Sequence, residues 1–76
     1  MENISFGIKK LDFNHRGKMI VFFTDGRVLV VPVSFFPDIK GLSMKERNKW
    51  MILDDQFFTF ESLSKVYSVM DPLRVA

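Results

Sequence analysis

Cysteine is absent from the 76-residue chain, and histidine occurs once, as His15. Without cysteine there is no disulfide, no thiolate nucleophile and no Cys-ligated zinc. A single histidine excludes a His-rich metal site. No phosphate-binding glycine loop and no G-x-S-x-G nucleophile motif occurs either. These absences remove most enzyme classes, and the expectation is a non-enzyme without a cofactor or metal. Long hydrophobic runs are also missing. The longest are Met19 to Phe23 and Val28 to Val33, and the second contains Pro32. A spanning helix needs about 20 apolar residues. Glu2 and Asn3 open the chain with no basic start and no apolar stretch behind it, so no signal peptide is predicted. A cytoplasmic protein without a membrane segment is the expectation.

What is present is aromatic and apolar. The chain has nine Phe, one Trp and one Tyr, and 47 % of it is hydrophobic. Its length fits one domain spanning residues 1–76. A domain near this size buries only about 60 % of the surface that its unfolded chain exposes. With no disulfide or metal to staple it, the core must be rich or the chain must associate. Charge is nearly balanced, with 11 Lys and Arg against 9 Asp and Glu, but it is not evenly placed. Residues 39–50 carry Lys40, Lys45, Arg47 and Lys49 against Glu46 alone, whereas residues 51–76 are net acidic.

The strongest local signal is Thr24-Asp25-Gly26-Arg27 between two β-rich runs. Asp-Gly there predicts a two-residue type I′ hairpin loop joining Lys18–Thr24 to Arg27–Pro32. That loop sets Phe22 opposite Leu29 and Val21 opposite Val30. Met19, Val21, Phe23, Val28 and Val30 then share one face, and Ile20, Phe22, Leu29 and Val31 the other. Both faces are apolar, which predicts cover on both. Ile4 to Asn14 reads as the first strand. Its apolar phase slips after Ile8 to Leu11 and Phe13, which predicts a β-bulge near Lys9 or Lys10. Asn14-His15-Arg16-Gly17 is a turn that completes a meander.

Pro32 ends the third strand. Ser34 starts a short helical turn that accepts Pro37 early and stops at Gly41. Ser43-Met44-Lys45-Glu46 fits a capping box, predicting a helix over 43–51 that packs on the sheet. Asp54-Asp55 is a turn and Phe57–Phe60 a further strand. Residues 61–70 are ambiguous: Leu63, Val66, Tyr67 and Met70 have helical spacing, yet Val66 to Val69 is β-rich. Asp71-Pro72 closes the regular structure. The predicted class is α+β: an antiparallel meander of three strands, one helix packed on the sheet, and one or two further short strands.

The run Phe23-Thr24-Asp25-Gly26-Arg27, then Val31-Pro32-Val33, Phe36-Pro37 and the segment Ser43 to Trp50 with Glu46, Arg47 and Trp50, resembles the bacterial family called domain of unknown function 2442. The resemblance covers roughly residues 4–73. It implies a small α+β domain, sometimes fused to a helix-turn-helix domain and sometimes encoded beside a second small protein, a toxin–antitoxin-like arrangement. The family pattern I-x-W-P followed by an acidic D-E-D corresponds here to Phe58-Thr59-Phe60-Glu61 and Ser64-Lys65-Val66. The tryptophan is replaced by Phe60, the proline by Glu61, and the acidic triplet is lost. Any family activity resting on that triplet is expected to be missing from this chain.

Few residues suggest a site. His15 lacks a second ligand or base and reads as a turn histidine. Asp25 is explained by the turn it occupies. Asp54, Asp55 and Glu61 lack the oxygen spacing and central glycine of a calcium loop. Lys40, Lys45, Arg47 and Lys49, with Trp50, form the one candidate for nucleic-acid binding, by a superficial likeness to a recognition helix. A solvated helix face explains the same residues, with the Arg47 stem packed on Trp50. Phe57, Phe58, Phe60 and Tyr67 are candidate interface residues, and neighbouring Phe57 and Phe58 must point to opposite faces of a strand. The expected partners are a second copy, forming a homodimer, and a small co-encoded protein. The main functional expectation is an interaction or regulatory module, and the alternative is a nucleic-acid-binding module.

Overall fold

The computed structural model describes residues 6–75. Ile4, the expected start of the first strand, lies outside that range. Strands β1 (Ile8–Asp12), β2 (Lys18–Phe23) and β3 (Val28–Pro32) form an antiparallel meander in the order β1-β2-β3. A 3-10 turn at Val33–Phe35 leads into α1 (Pro37–Lys40) and then α2 (Met44–Arg47). Strands β4 (Trp50–Leu53), β5 (Phe57–Phe60) and β6 (Tyr67–Ser68) form a second antiparallel sheet, and α3 (Met70–Val75) follows. The α+β class is thus observed, with a second sheet where one or two short strands were expected. The bulge is observed too: β1 pairs Ile8 with Phe23 and Lys10 with Phe22, so Lys9 is the extra residue.

The hairpin differs from the predicted one by a single residue. β2 pairs with β3 through Met19↔Val31, Ile20↔Val30, Val21↔Leu29 and Phe22↔Val28. The loop is Thr24-Asp25-Gly26, closed by Phe23 N–H donating to Arg27 O at 2.9 Å and Gly26 N–H to Phe23 O at 3.1 Å. Only Gly26 in it takes a positive φ, +94°. Asp25 has no need of that region, because its carboxylate accepts from Arg27 N (3.0 Å) and Arg27 Nε (2.7 Å). Such a three-residue loop with a left-handed glycine is the next hairpin solution after the two-residue one. A shift of one residue moves every β3 side chain to the other face. Leu29 and Val31 therefore join Met19, Val21 and Phe23 on the inner face. Val28 and Val30 join Ile20 and Phe22 on the outer one.

The helix predicted over 43–51 is one turn long. Its capping box forms, with Glu46 N–H donating to Ser43 Oγ (3.2 Å) and Ser43 N–H to Glu46 Oε1 (2.9 Å). Asn48 then ends it, its side-chain amide donating to Met44 O at 3.0 Å. Beyond it Trp50 and Ile52 alternate inward along β4, opposite Phe60 and Phe58. A short helix gains little from its own hydrogen bonds, and the apolar β4 residues gain more by pairing with β5. The cover for the meander's inner face is therefore the second sheet. Pro72, expected to end regular structure, lies inside the first turn of α3, where a missing N–H costs nothing.

One core joins the two sheets. Ile8, Leu11, Phe13, Met19, Val21, Phe23 and Val31 from the first half meet Phe58, Phe60, Tyr67 and Val69 from the second, with Ile39 and Phe36 between. Phe13 and Phe60 touch edge to face at 5.8 Å. A splice of polar bonds ties the sheets near Gly7. Thr24 N–H donates to Gly7 O (2.8 Å), Gly7 N–H to Thr24 Oγ1 (2.8 Å), Ile8 N–H to Asp55 O (2.7 Å) and the Gln56 amide to Phe6 O (3.0 Å). Gly7 has to be glycine, because a Cβ there would stand 2.6 Å from Asp55 O. Asp54 and Asp55 both take positive φ, 52° and 61°. The turn with paired left-handed residues is thus here, not at Asp25-Gly26.

Candidate functional site

The outer face of the first sheet carries exposed apolar side chains. Its rows run Lys10, Phe22, Val28 and then Asp12, Ile20, Val30, across β1, β2 and β3. Ile20 is nearly covered and Phe22 half-buried, but Val28 and Val30 are 53 % and 54 % exposed. Lys10 Nζ lies 4.7 Å from the Phe22 ring centroid and shields that end of the patch. Within one chain, this side of the hairpin is therefore left partly uncovered. Contiguous exposed apolar surface on a small protein marks a contact site more often than scattered residues do. The second sheet has a counterpart, where Met51, Leu53 and Phe57 are all exposed.

The expected interface aromatics divide. Phe57 is 43 % exposed, whereas Phe58, Phe60 and Tyr67 are sealed in the core, Phe58 and Tyr67 stacked at 5.1 Å. Phe57 and Phe58 do point to opposite faces. Exposed Val28 and Val30 escaped the sequence reading, because the two-residue loop assigned there placed Val28 and Val30 with Val21.

The residues of the basic segment differ in what they already bind. Arg47 is turned inward along the chain: its Nε donates to Ile39 O (3.2 Å) and its Nη2 to Lys40 O (3.0 Å), two carbonyls at the end of α1, where helical acceptors run out of partners. Lys49 pairs with Glu61 at 3.5 Å. Trp50 is half-buried and packs against the core. Lys40 and Lys45 are exposed. Hydrogen bonds from the Ser43 backbone and hydroxyl hold the Glu46 carboxyl below its ordinary value.

An open cleft of about 320 Å³ lies between the 3-10 turn and α3, lined by Phe35, Phe36, Lys65, Tyr67, Asp71, Arg74 and Val75. Its charges are already partnered. Asp71 accepts from Ser68 N–H (2.8 Å) and from Arg74 (3.3 Å), and Lys65 stands 3.9 Å from Asp38. Burial, then the nearby carboxylates of Asp38 and Asp71, push the Tyr67 phenol above its ordinary value. Among the described residues no group of three or more His, Cys, Asp or Glu side chains gathers as a metal site. His15 is exposed in its turn. No helix among the described residues is long and apolar enough to cross a membrane. No family model, no curated protein and no solved structure matches the chain.

Proposed function

We propose that the chain is a non-catalytic cytoplasmic module that works by protein contact, self-associating as a homodimer and engaging a small protein encoded beside it. The observation that carries this reading is the outer face of the first sheet, where Val28 and Val30 stay more than half exposed beside Phe22. The likeness to the bacterial family named above supports the same proposal through the co-encoded partner. Nucleic-acid binding is the less favoured reading, since Arg47 and Lys49 are committed to Ile39, Lys40 and Glu61. Phosphate contacts make such binding strongly salt-dependent. The test is a labelled duplex and a labelled single strand titrated at low salt, alongside the purified neighbouring gene product. The expected result is no retardation of either nucleic acid and a complex with the neighbour that Val28→Lys weakens. Salt-sensitive retardation without a protein complex would replace this reading with the nucleic-acid one.

A further inference from the structure

We infer that the cleft between the 3-10 turn and α3 binds a small uncharged carbonyl compound with an aromatic or branched apolar body, its oxygen accepting from the Tyr67 hydroxyl. This site is separate from the surface of the protein-contact reading, since neither Val28 nor Val30 lines it.

The hydroxyl is the observation that points to a ligand. Tyr67 is 2 % exposed, and its ring is packed among Phe58, Phe36 and Phe60. The phenol makes no hydrogen bond among the described residues, yet no sealed side-chain nitrogen or oxygen among them lacks a partner. The phenol oxygen therefore reaches solvent, and it does so in the cleft that Tyr67 lines. A ring wedged among three others presents its hydroxyl in a fixed place, with little rotamer freedom left to lose on binding.

The remaining polar groups decide the charge and the chemistry of the ligand. Lys65 is paired with Asp38 at 3.9 Å and Arg74 with Asp71 at 3.3 Å, so the cations and carboxylates balance and no net charge is left to attract an ion. Donors are in surplus. Asp71 already accepts with both oxygens, from Ser68 N–H and from Arg74. Arg74 keeps N–H groups beyond the one given to Asp71, Lys65 keeps ammonium protons beyond the one facing Asp38, and the Tyr67 hydroxyl adds a further donor. An ammonium ligand is disfavoured, because Lys65 Nζ already lies 5.1 Å from the Tyr67 ring centroid. A carboxylate ligand is disfavoured at the phenol by the burial and the Asp38 and Asp71 charges that raise the phenol itself. What fits is an acceptor without charge, the oxygen of an amide, ester or ketone.

The walls decide the rest of the ligand. Phe35 and Val75 line the cleft and stay 50 % and 40 % exposed, so covering them removes apolar surface from water. The volume, about 320 Å³, has room for about ten non-hydrogen atoms at about 30 Å³ each. A ligand that small in an open cleft binds weakly, in the millimolar range.

The experiment titrates phenylacetamide, phenylacetate and phenethylamine into the full chain. They share a phenyl body and differ in the charge of the head. Binding is read by NMR chemical shifts and by the absorbance of the one tyrosinate. Phenylacetamide is expected to shift Phe35, Tyr67 and Val75 resonances saturably, leaving Val28 and Val30 unmoved, and the charged probes to bind about fivefold more weakly or worse. A bound carbonyl holds the phenol proton, so phenylacetamide should move the Tyr67 titration further up. Tyr67→Phe keeps the ring packing and loses only the hydroxyl, and should weaken phenylacetamide about three- to tenfold. Phe35→Ala, at an exposed side chain, should weaken it while leaving the upward movement of the Tyr67 titration in place. No saturable shift at these residues up to the solubility of phenylacetamide overturns the proposal. So does a charged probe that binds as tightly, or a Tyr67→Phe chain that binds phenylacetamide as the wild type does. None of these outcomes bears on the protein-contact reading, which the neighbour's binding decides.

Discussion

Tyr67 is the chain's one tyrosine. Its ring stacks on Phe58 and meets Phe36 edge to face at 5.6 Å, and Lys65 Nζ lies 5.1 Å from its centroid. The raised phenol has a definite linkage. The folded chain holds its proton beyond pH 10, where the unfolded chain begins to lose it. The stabilisation is thus fully present below the ordinary phenol value and is lost as pH rises through the raised one. Stability measured by urea unfolding is expected to fall more steeply in the wild type than in Tyr67→Phe as pH rises from the ordinary phenol value through the raised one. Near neutral pH the two should be close, since the phenol makes no hydrogen bond among the described residues. Tyrosinate absorbance, coming from this side chain alone, reads the shifted titration directly. An unshifted titration with identical alkaline profiles would contradict the account.

At the scale of elements, α1 and α2 are single turns that hold because one side chain joins them. Arg47 reaches from α2 to the Ile39 and Lys40 carbonyls at the end of α1. A guanidinium holds its Nε and Nη2 donors in a fixed fork that matches both acceptors, whereas an ammonium offers one compact nitrogen on a flexible stem. Arg47→Met and Arg47→Lys are therefore both expected to cost about 1–2 kcal/mol in urea unfolding, the range for partly exposed charge-assisted bonds. An Arg47→Met chain as stable as the wild type would mean that Arg47 is free to serve a ligand. The elements differ in how far the sequence reveals them. The capping box at Ser43 and Glu46 and the bulge at Lys9 are legible because each rests on chemistry within a few residues. The end of α2 is not legible, since Trp50 leaves the helix to pair with Phe60, ten residues on. The β2–β3 register fails for a subtler reason. Thr24-Asp25-Gly26 supports either loop length, and the bonds between Thr24 and Gly7, 17 residues away, favour the longer one.

On the scale of the whole molecule, the two sheets have no separate cores. Phe60 belongs to the second sheet but packs on Phe13, which follows β1, and on Phe58 and Tyr67. That dependence was hidden in the sequence, where Phe57, Phe58 and Phe60 look alike and only the β4–β5 register separates the exposed one from the two buried. Deleting a fully buried phenylalanine costs about 3–5 kcal/mol. A chain of this length has a total stability on the order of 4–11 kcal/mol. Phe60→Ala should therefore remove a large share of the stability and unfold both sheets together. Amide exchange on β2, in the other sheet, is expected to accelerate as much as exchange on β5. Phe57→Ala, three residues away and facing outward, should cost under about 1 kcal/mol and leave both rates close to wild type. If Phe60→Ala loosened β5 while β2 kept its protection, each sheet would have to be stable by itself.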